Sequence, residues 1–207
     1  MEKLSYSQIP EHILSNVRYP EFLKSMKDQG EDSCGINALR SVFRLSFGYP
    51  VKEHELNELY ERLYNKRIAG NGIGPKSIAG LIHYINETEL GLENIKVFMT
   101  RNGDYDQLQY FIKRGYLPII HRHLPKELIA SDDPDPSHYE IVLGLDEKHI
   151  YGWDSTTDDL RNGFFRVPKL EFLNEMWPVK YNGSMERWYL VATQDKLPRK
   201  MFKGKYC

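Results

Sequence analysis

The sequence contains no apolar run long enough to span a bilayer, and its first ten residues, Met1 to Pro10, lack the apolar core of a secretory signal. A soluble protein of the cytoplasm is expected, or one exported by a non-classical route. Cysteine is scarce: Cys34 and Cys207 are the two in 207 residues, which argues against a disulfide framework and fits a reducing compartment. Neither a CxxC nor an HExxH spacing occurs, so the expectation is no cofactor and no metal. His121 and His123 alternate along a strand candidate and would share a face, but no further ligand spacing accompanies them. The glycine-rich segment Gly70-Asn71-Gly72-Ile73-Gly74-Pro75 follows no strand and lacks the lysine of a phosphate loop. Charge of one sign is missing too. The 28 basic and 29 acidic side chains leave a net charge of −1, which speaks against nucleic acid or a membrane surface as partner. Internal repeats and low-complexity tracts are absent.

The present features describe an α+β chain of one domain over residues 1–207, with an N-terminal arm at 1–27 and a basic tail at 196–207. The arm carries Ile13, Leu14, Val17, Phe22 and Leu23, too apolar for a disordered segment. Polar residues give way after Asp32 to Ile36, Leu39, Val42, Phe43 and Phe47, the spacing of one helix face, and Gly48-Tyr49-Pro50 stops the helix. Helices are also expected over about Lys52–Tyr64, from Pro75 through Ile85, over Tyr105–Lys113 and over Leu170–Met176. Strands are expected at Ile95–Met99, Leu117–Ile120, Gly163–Val167 and Arg187–Thr193. Between them, His138–Leu145 and His149–Asp154 flank Asp146-Glu147-Lys148 and read as a β-hairpin. Helices first and antiparallel strands second is an α+β pattern.

Chemistry concentrates at three places. Cys34 falls in the first turn of a helix, where free backbone amides and the helix dipole favour a thiolate. Asp32 or Ser33 can cap that helix. Gln29 offers a neutral amide that can join the Cys34 N–H in holding an oxyanion, and Gly35 leaves room for a substrate backbone. His138 opens the hairpin and Asp154 closes it, so the hairpin brings them near each other, the carboxylate fixing the tautomer of the imidazole. Tyr139, Trp153 and Trp177 are candidate pocket aromatics. The acidic loop Asp132–Asp135 reads as a solvated loop beside two prolines and the tail lysines as a solubilising terminus, with a basic substrate and an acidic partner as the alternatives.

Gln29, four residues, then Cys34-Gly35-Ile36-Asn37-Ala38-Leu39, with His138-Tyr139-Glu140-Ile141-Val142-Leu143-Gly144 and Ile150-Tyr151-Gly152-Trp153-Asp154 downstream, resembles the C39-like branch of the papain-like cysteine peptidases. The resemblance covers residues 25–155. It implies a papain-like fold in which a helical half, with the cysteine at a helix start, packs on an antiparallel sheet. It also implies Cys34 as nucleophile, His138 as general base and acid, Asp154 as the orienting residue, Gln29 as oxyanion donor, and a peptide or protein as substrate. Hydrolysis of a peptide or isopeptide bond is the expected activity. Acyl transfer in the manner of transglutaminases, and a silent peptide-binding module of the same fold, are the alternatives.

Overall fold

The computed structural model describes residues 1–25, 34–65, 73–87, 94–123, 137–154, 163–181, 184–196 and 205–206. The helical half comprises α1 (Glu11–Leu14), α2 (Cys34–Phe47), α3 (Glu53–Tyr64) and α4 (Pro75–Glu87), with α5 (Tyr105–Ile112) and the short α6 (Lys169–Glu171) later in the chain. The strands are β1 (Glu2–Leu4), β2 (Lys96–Thr100), β3 (Ile119–His123), β4 (Ser137–Leu145), β5 (His149–Asp154), β6 (Gly163–Pro168), β7 (Val179–Tyr181), β8 (Ser184–Glu186), β9 (Tyr189–Thr193) and β10 (Lys205–Tyr206). Among the described residues, eight of them form one antiparallel sheet in the order β1-β6-β5-β4-β3-β9-β2-β10, and β7 and β8 pair separately.

Each face of the sheet is covered, and each cover follows from a sequence pattern. In α2 the residues Ile36, Leu39, Val42 and Phe43 are fully buried, which is the stripe that its 3.6-residue period places on one side. They join Leu56 of α3, Ile78, Leu81 and Ile82 of α4, and Ile141 of the sheet in one apolar cluster. The opposite face packs Leu108, Phe111 and Ile112 of α5 with Phe172, Trp177 and Val142 in a second. Strands buried on both faces read as continuous apolar runs, as Ile141-Val142-Leu143 does.

Local stops are equally physical. Gly48 ends α2 at φ +68°, its N–H reaching the Arg44 carbonyl at 3.1 Å while the next amide reaches Phe43. Pro75 opens α4, and the Gly74 carbonyl accepts from the Ser77 amide at 2.9 Å. At α5 the Asp104 side chain accepts from the Gln107 amide at 2.8 Å. In the β4–β5 turn, Asp146 Oδ1 accepts from the Lys148 and His149 amides at 2.7 and 2.6 Å.

Three features go beyond the sequence reading. The arm supplies an edge strand, with Glu2, Lys3 and Leu4 opposite Arg166, Phe165 and Phe164 of β6, while Ile13, Val17 and Leu23 enter the core. The segment around Leu170 is a short α-turn continued by a π-turn at Phe172–Met176. Strands β7, β8 and β10, of two or three residues, are too short to leave a periodic signal.

Candidate active site

Cys34 begins α2 and is half-buried, with its side chain against the apolar cluster beneath the helix. His138 lies near the start of β4 and Asp154 at the end of β5, both buried. The hairpin joins them through a detail of register. Leu145 faces Ile150 and Gly144 faces Tyr151, but beyond a bulge at Leu143 the pairs become Val142 with Gly152 and Ile141 with Trp153. One further step sets Asp154 opposite Glu140, on the face that also carries His138, because side chains alternate. Without the extra residue Asp154 would stand opposite Ile141 and turn to the other face. The bulge is what lets the carboxylate meet the imidazole: His138 Nε2 lies 2.8 Å from Asp154 Oδ1.

Charges around this contact set the protonation states. Burial pushes the Cys34 thiol up, but the facing His138 charge and hydrogen bond, with the Tyr139 backbone amide, hold it below the ordinary thiol value. Burial pushes His138 down, and the Asp154 carboxylate and Cys34 sulfur more than reverse this, raising it to about 10. Asp154, raised by burial and lowered by His138 and Arg122, comes to about 2. Since Nε2 faces Asp154, Nδ1 is the nitrogen left for the sulfur. The sulfur, the imidazole and the carboxylate thus favour one another's charged forms.

Behind them lies a second pair that the sequence reading passed over. Arg122 of β3 and Glu140 of β4 are fully buried, and the guanidinium donates from Nε and Nη2 to the two Glu140 oxygens. Nη2 also lies 4.0 Å from Asp154 Oδ2. Burial, partly offset by Arg122, raises the Glu140 carboxyl to about 7. The available signal was a charged residue in each of two apolar strands. Donor atoms of His138, Glu140 and Asp154 lie within 4.8 Å of one another, a set that could hold a metal ion. The Arg122 guanidinium, bound to both Glu140 oxygens, already supplies the cation there.

The other expected site residues fall in different places. Gln29, Asp32, Ser33, the loop Asp132–Asp135 and Cys207 lie outside the described residues. At Gly35 the space of a side chain is taken from within the protein: a Cβ would come 2.7 Å from Ile73 Cγ1 and 3.2 Å from Ile78 Cδ1. Its small size admits α4 and the segment before it beside α2. Tyr139 is buried, stacked on His121 with ring centroids 4.6 Å apart and edge-on to Trp188 at 5.6 Å. Trp153 is buried against Phe164 at 4.7 Å, and Trp177 is fully buried, its indole N–H donating to the Trp188 carbonyl at 3.1 Å. His121 pairs by stacking with Tyr139, while the His123 carbonyl accepts from Arg122 Nη1 at 3.0 Å. A cleft is bordered by Gly74, Pro75, Arg101, His121, Glu186 and Trp188, and His121 within it stacks on Tyr139.

No family model matches the sequence, and no curated protein matches it significantly. Solved structures do match. The chain is similar to the peptidase domain of Streptococcus ComA, at 15% identity over 82% of this chain and 97% of that one, with a TM-score of 0.55. It is similar to a C39-like peptidase from Bacillus anthracis at 13% identity, over 95% of this chain and all of that one, again with a TM-score of 0.55. The fold is thus that of the papain-like α+β class. Within that class the chain has the fold of the C39 peptidase domains.

Proposed function

We propose that this protein is a cysteine peptidase acting on a peptide or isopeptide bond, with Cys34, His138 and Asp154 as its triad. The observation that carries the reading is the buried His138–Asp154 contact of 2.8 Å beside a thiol that begins a helix. In this mechanism His138 takes the Cys34 proton, and the thiolate attacks the substrate carbonyl. The Cys34 amide and Gln29 hold the oxyanion. His138 then protonates the leaving amine and activates the water that releases the acyl-enzyme. The fold shared with C39 peptidase domains agrees with this chemistry. Among the described residues no helix is long and apolar enough to cross a membrane.

The test is a peptide library treated with the wild type and with Cys34→Ala, read by mass spectrometry. New termini produced by the wild type alone are expected. Mass additions at amines, with no new termini, would replace hydrolysis by acyl transfer, and identical digests would remove the activity.

A further inference from the structure

The mechanism uses Asp154 to hold His138, but nothing in it says what holds Asp154. The carboxylate sits at the end of β5, fully buried. The charged groups around it among the described residues are His138 and Glu140 of β4, Arg122 of β3 and, through His138, Cys34 of α2. Arg122 stands opposite His138 in the β3–β4 register, and Glu140 follows two residues after His138 on the same face. We propose that the Arg122–Glu140 pair is a positioning device: it fixes the Asp154 carboxylate, and through it sets the pH range over which His138 stays an imidazolium beside Cys34. This rests on the peptidase reading of the site.

The geometry argues for position over mere stability. Arg122 is tied on every side, by its fork to Glu140, by Nη1 to the His123 carbonyl at 3.0 Å, by Nη2 to the Met1 sulfur at 3.4 Å, and by its face to Phe165 at 5.5 Å. A guanidinium so held cannot swing, so the Nη2 group 4.0 Å from Asp154 Oδ2 is a fixed charge. Asp154 and Glu140 present oxygens within 4.8 Å of each other, and two carboxylates that close in a dry site ionise together only with cations among them. Arg122 and His138 are those cations. Buried ion pairs seldom stabilise a fold more than apolar residues of the same size would. The placement of this one against the orienting carboxylate gives it another use.

Iodoacetate tests the proposal without any knowledge of the substrate. Being an anion, it is drawn to Cys34 while the neighbouring imidazole is charged, so the fall in rate at high pH reports His138. Alkylation is followed at the Cys34 peptide, which separates it from Cys207. Replacing both members, Arg122→Met with Glu140→Leu, removes one charge of each sign and leaves Asp154 without its fixed neighbour. We expect the double variant to melt cooperatively, with its high-pH limb about one unit below that of the wild type, which is about a tenfold slower reaction only at pH values above both limbs, at about pH 11. Arg122→Lys, which keeps charge but loses the fork, is expected between the two. A cooperatively melting double variant with the wild-type limb overturns the proposal. If it does not melt cooperatively, Glu140→Gln decides: its limb is expected lower, because the imidazolium loses an adjacent negative charge, and an unmoved limb overturns the proposal. His138→Ala separates the two levels. If Cys34 in that variant reacts as fast as in the wild type, the peptidase reading fails; if it slows but the pair variants do not, only the positioning role fails.

Discussion

At Glu140, burial and the Arg122 guanidinium pull in opposite directions, and burial prevails, leaving the carboxyl near 7 instead of 4.5. A carboxyl whose value rises on folding favours the folded state below its unfolded value, and that advantage is lost as pH climbs through the folded one. Relative to Glu140→Gln, the wild type should therefore lose stability between about pH 4.5 and 7. Urea unfolding of both proteins at pH 5 and pH 8 reads this directly, and an equal difference at the two values would contradict it. Cys34 differs from an ordinary thiol for a related reason, the facing imidazolium. In His138→Ala the thiolate fraction near neutral pH should drop to a few per cent, with about tenfold or more slower alkylation. The place of Cys34 at a helix start and the nearness of His138 to Asp154 could be expected from the sequence. Arg122 and Glu140 could not, since they meet only through the pairing of β3 with β4, which no local pattern specifies.

Among the elements, the β4–β5 hairpin carries most of the site. Its two apolar runs and the Asp146 turn were legible in the sequence, and so was α2, whose observed span begins at Cys34. The bulge at Leu143 was not legible. Where a strand is buried on both faces, Ile141-Val142-Leu143 reads as one apolar run, and period-two alternation cannot reveal an inserted residue. Gly152, within the hairpin, lets Phe165 lie over the backbone: a Cβ there would fall 2.3 Å from the ring Cζ and 2.8 Å from the Ile141 carbonyl oxygen. Gly152→Ala should cost about 1–3 kcal/mol through overpacking, measured as a lower urea midpoint with an unchanged slope. A variant as stable as the wild type would show that the hairpin yields there without strain.

Across the whole molecule, the two apolar clusters hold the sheet between helices and leave Cys34, His138 and Asp154 where the start of α2 meets the β4–β5 hairpin. The N-terminal arm belongs to this arrangement. Ile13 is fully buried and occupies the space beside Gly144, where a Cβ would stand 2.7 Å from its Cδ1. Ile13→Ala should cost about 2–5 kcal/mol in urea unfolding, the range for emptying a packed aliphatic site, and a smaller loss would mean the arm closes over the gap. The apolar content of the arm was legible, but its edge strand of three residues was not, being shorter than any period can register. The proposed chemistry requires His138 to be charged when the protein is at work. The ¹⁵N NMR shifts of the His138 ring at pH 8 measure this most directly. A doubly protonated ring, well above the ordinary histidine value of about 6.5, is the predicted result; a neutral ring at that pH would contradict it.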